Sequence, residues 1–563
     1  MQPIPNHARL KSLLKCNRYT MPEKRLTLGL DVSTQSLSAV VLDIDSCVKL
    51  IELSLDYLKD TRLNTFEIRE PDYILLPGSE GEADQPPFMF LAALDAIFFE
   101  LKKSIPLEKI VVINTSGQQH GHVYLNSAAS SIFASLNKTG SEASNLASLL
   151  KDSLAYERAP IWMTADTSKQ ASFVRNNIGG KERLIKLSGS DAQLRFTGLV
   201  IRRTAEKFPD VYAGTAIIQL ISSFVPAILT GNANVPVDFG NACGMSLMNY
   251  RRKRWSDVLL RATSRGLPGG KNALQEKLPE ITAPDAIVGR IAAYFSSKYG
   301  FNRKCMIVAG SGDNPQSKVL VSGDLLSLGS SFVFMVATDG ETMDRTGAAC
   351  AMYDGIGRPF MFGCRTNGAL VWDQLRALYG MRKEDYRPAE AALKQTAVGQ
   401  NLVFWQPRDE SFPPSGKFGL ARINAHSPNL PSDYAGIIES SLAAVYYHSR
   451  GFSLSFGEPL HVTGGAAGSP GIMRRVAAIW NRPVVQTEKG GAVLGAAVAG
   501  ISAYFKYIGE KFNVEDYSAA IMPGNKVVRP SPEDVTAFHR PGGYLEKFAV
   551  EEARLIAKHP PHQ

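Results

Sequence analysis

Asp313 stands in the run GSGDNP at 310–315, a glycine-bounded turn directly after the apolar stretch 305–309. A carboxylate placed there can project into a cleft and accept the proton of a substrate hydroxyl. That suits phosphoryl transfer, where the protein mainly positions reactants and stabilises charge. The bland alternative is an Asp that merely initiates the turn and caps its own backbone. A second run, SGQQHG at 116–121, follows the apolar segment 110–115 and packs Gln118, Gln119 and His120 together. These three side chains offer several donors and acceptors to a polyol, although a loop histidine taken alone says little.

Three further runs have the composition of phosphate-sized turns. In LGLDVSTQS, around residue 31, a hairpin of small hydroxyl residues separates two β-rich segments. Its backbone N–H groups could form an anion-binding nest, and Asp31 could hold Mg²⁺, usually through water. In LSLGSSFVF at 326–334, Gly329 and Ser330 occupy the same kind of turn. Each could be an ordinary Ser/Thr turn; as a pair from two halves they could face one nucleotide. In VTGGAAGSPGI at 462–472 a strand enters a Gly-rich turn and then a helix, which allows close backbone approach. The spacing is not that of a dinucleotide fingerprint.

The elements needed to position these turns are legible in outline. Strands are predicted at 26–31, 37–42, 110–115, 305–309 and 460–463, and helices at 88–103, across 166–230 and from 473 onward. The Ser/Ala-rich segment 126–158 reads as a surface insertion with a helical part. A polar break at 296–305 suggests the boundary between two α/β halves with a ligand cleft between them. The divisions are a basic tail at 1–25, a sugar-side domain at 26–300, a nucleotide-side domain at 301–545 and a C-terminal tail at 546–563.

At 563 residues the chain is too long for one core, and 44% hydrophobic with 20% charged residues is ordinary for a globular protein. The net charge of +9 is partly concentrated in the first 25 residues, which read as a solvated arm or an organelle-targeting segment. No Lys/Arg stripe interleaved with aromatics argues for nucleic acid. The most apolar run, 490–505, is short of the ~20 residues a membrane span needs and reads as a tightly packed helix. Six scattered cysteines without CxxC pairs favour a reducing, cytoplasmic setting. A homodimer is compatible with all of this.

Taken together, these segments resemble the FGGY family of carbohydrate kinases, a branch of the actin-like, ribonuclease-H-like ATPases, from about residue 26 to 505. Within it, SGQQHG, APIWM (159–163), LRFTG (194–198), CGMSLMNY (243–250) and SGDNPQS (311–317) are similar to eukaryotic-type xylulose kinases. The resemblance implies two ribonuclease-H-like domains around a cleft, and transfer of phosphate from MgATP to the 5-hydroxyl of D-xylulose. It implies Asp313 as base, with Asn314, Gln119, His120 and Arg195 on the sugar, and Asp31 organising Mg²⁺. Ser33, Thr34 and Gln35 would form the first phosphate loop and Gly329 and Ser330 the second. Gly464, Gly465 and Ser469 would border the nucleotide, and Tyr386 would stand near the adenine. Against the family pattern the chain has Gly-Ser-Ser in the second loop, Thr164 with Asp166 two residues on, Asn241, and Lys318. Another polyol (ribulose, glycerol, gluconate), a degraded kinase, or an actin-like nucleotide-binding scaffold are the alternatives.

Overall fold

The computed structural model describes residues 24–561 except 139, 141–143, 383, 424–426, 455–457, 488–490 and 523–525. The basic arm therefore lies, but for its last two residues, outside the described residues. Those two are tied down: Arg25 pairs with Asp45 at 2.5 Å and Lys24 with Asp43 at 3.4 Å.

The first sheet is built on β1 (Leu26–Val32), β2 (Ser36–Asp43), β3 (Val48–Asp56), β4 (Ile110–Gly117), β5 (Ile287–Arg290) and β6 (Met306–Val308). Its order is β5-β6-β4-β1-β2-β3. β1, β2 and β3 form an antiparallel meander, while β4 and β6 run parallel to β1. β1 is apolar and buried almost throughout, as a central strand covered on both faces must be. The second sheet repeats the plan with β7 (Leu325–Leu328), β8 (Phe332–Ala337), β9 (Cys350–Tyr353), β10 (Pro359–Arg365), β11 (Leu460–Thr463), β12 (Val484–Gln486) and β13 (Val527–Val528). Its order is β9-β10-β8-β7-β11-β12-β13, with β11 parallel to β7. Each domain therefore sets a two-strand hairpin beside a parallel strand.

Helices close the faces. The predicted helix near 88–103 is α1 (Pro87–Ser104), opened by a proline at its first position. The apolar run near 490–505 is α6 (Gly491–Ile508), numbered after α2 (Lys181–Ser188), α3 (Asp313–Val319), α4 (Arg387–Gln395) and α5 (Pro470–Trp480). α6 lies against β1, β4 and α3, so it packs on the first domain although in sequence it stands between β12 and β13 of the second sheet. Glycines permit the approach: a Cβ on Gly29 would stand 2.3 Å from the Val493 carbonyl oxygen, and one on Gly495 would stand 1.9 Å from that of Gln316.

Three sequence expectations are corrected. The boundary near residue 300 lies instead in the linker between α3 and β7, because the strand expected to open the second domain, β6, pairs with β4 of the first sheet. The C-terminal residues after 545 are not a tail: Tyr544–Lys558 is a helix whose Phe548 is fully buried and stacks on Phe404 at 5.6 Å. The segment 126–158 is not merely a surface insertion, since Phe133, Leu136, Leu146 and Leu150 are buried in the first core. Strands Val48–Asp56 and Thr215–Leu220 were not anticipated.

Candidate active site

Three neighbouring chain segments end at the same edge of the first sheet. Asp31 of β1 is in register with Ser116 of β4, and Ser116 is in register with Ser311 beyond β6. Ligands of open α/β sheets bind at such carboxyl ends. One residue past Gly312, Asp313 begins α3, where the helix N-terminus favours a carboxylate. Its Oδ1 accepts the Asn314 N–H at 2.8 Å, and the Asn314 amide donates to Gln119 Oε1 at 2.9 Å. Burial, followed by the charge of Asp31, pushes Asp313 up to about 7, the range of a general base near neutrality. Asp31 is also raised by burial; its Oδ2 accepts the Ser33 hydroxyl at 2.6 Å. Asp31 Oδ1 is buried with no hydrogen-bond partner. An orphaned carboxylate oxygen beside a second carboxylate fits a hard divalent cation such as Mg²⁺.

The sugar-side set converges next to Asp313. His120 takes a left-handed backbone, φ 68°, strain of the kind that clusters at functional sites. Its ring stands 5.0 Å from that of Phe196, and Nδ1 donates to the Gly244 carbonyl at 3.0 Å. Burial, then the nearby charge of Arg195, pulls His120 down to about 3, so the ring is neutral and Nε2 is an acceptor. Gln119, His120 and Arg195 line a narrow, nearly closed opening of about 10 Å³ with Cys243 and Gly244. Cys350, Met352 and Phe362 of the second sheet close its far wall, so both domains shape it. Gln119 Nε2 and Asn241 Oδ1 are buried without partners, and a Cβ on Gly312 would stand 2.5 Å from Gln119 Cγ and 3.0 Å from Asn241 Oδ1.

The nucleotide-side residues line a separate, larger cleft of about 770 Å³ in the second domain, running from Gly329 and Ser330 past Gly465 and Ser469 to Tyr386. Gly464, at φ 97°, brings the Gly-rich turn against β7: a Cβ there would stand 2.6 Å from the Leu328 carbonyl oxygen. Tyr386 is 55% exposed, and the Arg376 guanidinium lies 3.9 Å from its ring centroid. Ser469 is the N-cap of α5 and donates to Glu390 of α4 at 2.5 Å, while Glu390 also accepts the Gly471 N–H at 2.9 Å. Glu390, which sequence reasoning missed, thus already occupies the positive end of α5. A phosphate placed there would meet a carboxylate.

Ser33, Thr34 and Gln35 form the β1–β2 turn. Thr34 is a junction: it accepts the Trp162 indole N–H at 2.9 Å and donates to Gln118 at 3.3 Å. Gln85 donates to the Thr34 carbonyl at 2.7 Å and accepts from Gln118 at 2.7 Å. Gln35 lends its carbonyl to the Tyr57 N–H at 3.0 Å. This network joins the β1–β2 turn to the 116–121 loop directly and through Gln85, and ties Trp162 to the same turn, which no local pattern around residue 31 could have disclosed.

The departures from the family pattern have local explanations. Thr164 is buried and donates to the Ala83 carbonyl at 3.0 Å. Asp166 pairs with Arg203 at 2.7 Å, and Arg203 also pairs with Glu82, so this carboxylate braces the first domain. Asn241 donates to Ser222 at 2.7 Å. Lys318 is buried and donates to the carbonyls of Val321 at 2.5 Å and Ser322 at 3.1 Å, inside the interdomain linker.

Paired ribonuclease-H-like sheets, a buried carboxylate at a helix start and a nucleotide-sized cleft define a phosphotransferase built on the actin-like ATPase plan. The chain belongs to the FGGY family of carbohydrate kinases: the family's N-terminal domain matches residues 146–319 and its C-terminal domain residues 325–504. It is a sugar kinase by that membership. Xylulose kinase 2 from Arabidopsis thaliana is 29% identical over 504 residues, covering 85% of this chain and 87% of the relative. A probable D-xylulose kinase A from Neosartorya fischeri is 29% identical over 469 residues, covering 77% of this chain and 79% of the relative. The crystal structure of gluconate kinase from Lactobacillus acidophilus superposes with a TM-score of 0.76 at 17% identity, covering 95% of this chain and 99% of that one.

Proposed function

We propose that this kinase transfers the terminal phosphoryl group of MgATP to the 5-hydroxyl of D-xylulose. The observation that carries the reading is Asp313, a buried carboxylate held near 7 beside Asp31 and hydrogen-bonded to Asn314, which in turn holds Gln119. Asp313 takes the proton from the sugar hydroxyl as it attacks. His120 Nε2 accepts from a second hydroxyl, while the amides of Gln119 and Asn314 and the guanidinium of Arg195 fix the chain of the ketose. Asp31 holds the magnesium ion, which when bound neutralises phosphate charge. The turns at Ser33–Gln35 and Gly329–Ser330 meet phosphate oxygens, and the wall of Cys350, Met352 and Phe362 excludes water. The names of the curated relatives support the ketopentose over other polyols.

The test is ADP release in the presence of MgATP, comparing D-xylulose with D-ribulose, glycerol, gluconate and no sugar. Turnover chiefly on D-xylulose is the expected result. A different preferred sugar would overturn the substrate while keeping the mechanism, and ATP binding without turnover on any sugar would overturn both.

A further inference from the structure

The first domain carries a second concavity, of about 840 Å³, outside the catalytic cleft. Its walls are α2, which supplies Arg183 and Lys186, and the hairpin of Met248–Asn249 with Arg254–Trp255, whose turn supplies Arg251 and Arg252. Five cationic side chains therefore face one space that holds a single carboxylate, Asp257. That carboxylate is already taken by Lys271 at 2.9 Å. Arg251 is held by Glu341 of the second domain at 2.6 Å. For Arg183, Lys186, Arg252 and Arg254 no ion pair stands among the described residues. Like charges on a solvated surface normally spread apart. Gathered in a hollow, they focus a positive potential onto whatever fills it.

We propose that this hollow is a second binding site, for a small metabolite carrying at least two phosphoryl charges. Guanidinium groups match phosphate oxygens in bidentate geometry, and a hollow walled by Arg252, Arg254 and Arg183 can meet two such groups at once. Trp255, half-buried with its indole N–H donated to the Pro279 carbonyl at 2.8 Å, gives the hollow an apolar wall for a carbon skeleton. A concave site with one aromatic wall suits a compact polyanion. An extended nucleic acid or a membrane surface needs a flat or running stripe of charge.

The site is wired to the sugar cleft. The Tyr250 N–H donates to the Leu187 carbonyl at 3.0 Å, tying the hairpin to α2. α2 runs on into Ser190, which lines the sugar opening. The Tyr250 ring stacks on Tyr353 at 4.6 Å, next to Met352 of the same opening. A polyanion that draws Arg251 from Glu341 also weakens a link between the domains, so occupancy changes the sugar KM.

The experiment is a calorimetric titration of the full chain with inorganic pyrophosphate, saturated with ADP so that the nucleotide cleft does not compete. The parent is compared with the double variant Arg252→Glu/Arg254→Glu and with Lys547→Glu, a change at an exposed lysine of the C-terminal helix. Expected are one saturable site in the parent, binding at least tenfold weaker in the double variant, and unchanged binding in Lys547→Glu. Retained turnover in the double variant without pyrophosphate certifies its fold. Equal affinity in the parent and the double variant overturns the site. Absence of pyrophosphate binding overturns it too, and capture of heparin but not pyrophosphate overturns the small-molecule occupant. Direct binding is read here, so the result stands apart from the choice of sugar substrate.

Discussion

A carboxylate titrating near 7 makes the chemistry of Asp313 visible in its pH behaviour. Below about 7 the side chain holds its proton and cannot serve as base, so kcat/KM for the sugar should fall tenfold per pH unit, where an ordinary carboxylate would hold activity down to about 4. A flat profile from pH 5 to 8 would remove the assignment. Asp313→Asn should lower turnover by about 10²–10⁴-fold, the range of general-base catalysis. The same residue gives a stability test. Because the folded pKa is raised, the fold favours the protonated form and loses that advantage as pH rises from about 4 through 7. Without magnesium, Asp313→Asn should therefore melt higher than the parent at pH 8 and no higher at pH 4. His120 behaves in the opposite way. Held down to about 3 and neutral, it contributes no charge change between pH 5 and 8. Replacing it with Phe, which keeps an aromatic ring but has no acceptor, should raise the sugar KM about tenfold while the KM for ATP stays within twofold.

At the level of elements, the turns at strand ends were legible because their composition is local: small hydroxyl and glycine residues flanked by apolar runs announce hairpins wherever they fold. The turns at 31–37, 116–121, 310–315 and 464–469 all lie where a strand ends. What local pattern could not supply was partnership across the sequence. β6 reads as the start of a new domain because a polar break precedes it, yet its edge is satisfied by β4, nearly two hundred residues earlier. Glu390 could not be placed at the N-terminus of α5, because that contact is made between two helices whose order in sequence says nothing of their packing. Gly464 is a test of the element level. It holds φ 97° and touches β7, so Gly464→Ala must both strain the backbone and push the turn away from Leu328. The expected cost is about 1–3 kcal/mol of stability, with the KM for ATP raised more than the KM for sugar. Steady-state kinetics varying each substrate would check it, and an equal rise in both constants would contradict the division of labour between the two clefts.

For the molecule as a whole, the linker between α3 and β7 is the feature that decides how the domains share one site, and Lys318 is its buried brace. Its ammonium reaches the carbonyls of Val321 and Ser322, and the Arg358 guanidinium donates to the Val319 carbonyl at 2.8 Å. Read from sequence alone, a lysine where the family carries a small apolar residue suggests damage to catalysis. In the fold the side chain is committed to the linker. Burial, then the charge of Arg358, lowers Lys318 to about 8. The unfolded chain keeps that proton until about 10.4, so between those values it binds more protons than the folded chain, and stability must rise with pH. The rise from this one group is at most about 3 kcal/mol. Lys318→Met removes the titration and leaves two carbonyls without their donor. The stability gap between parent and variant should therefore widen from pH 7.5 to pH 10, read as urea midpoints at constant slope. Turnover at pH 7.5 should stay within about threefold of the parent, because no substrate group meets this side chain. A gap that does not change with pH would deny the lowered titration. A large gain in turnover from the apolar residue would instead mean that Lys318 restrains the enzyme through the linker it braces.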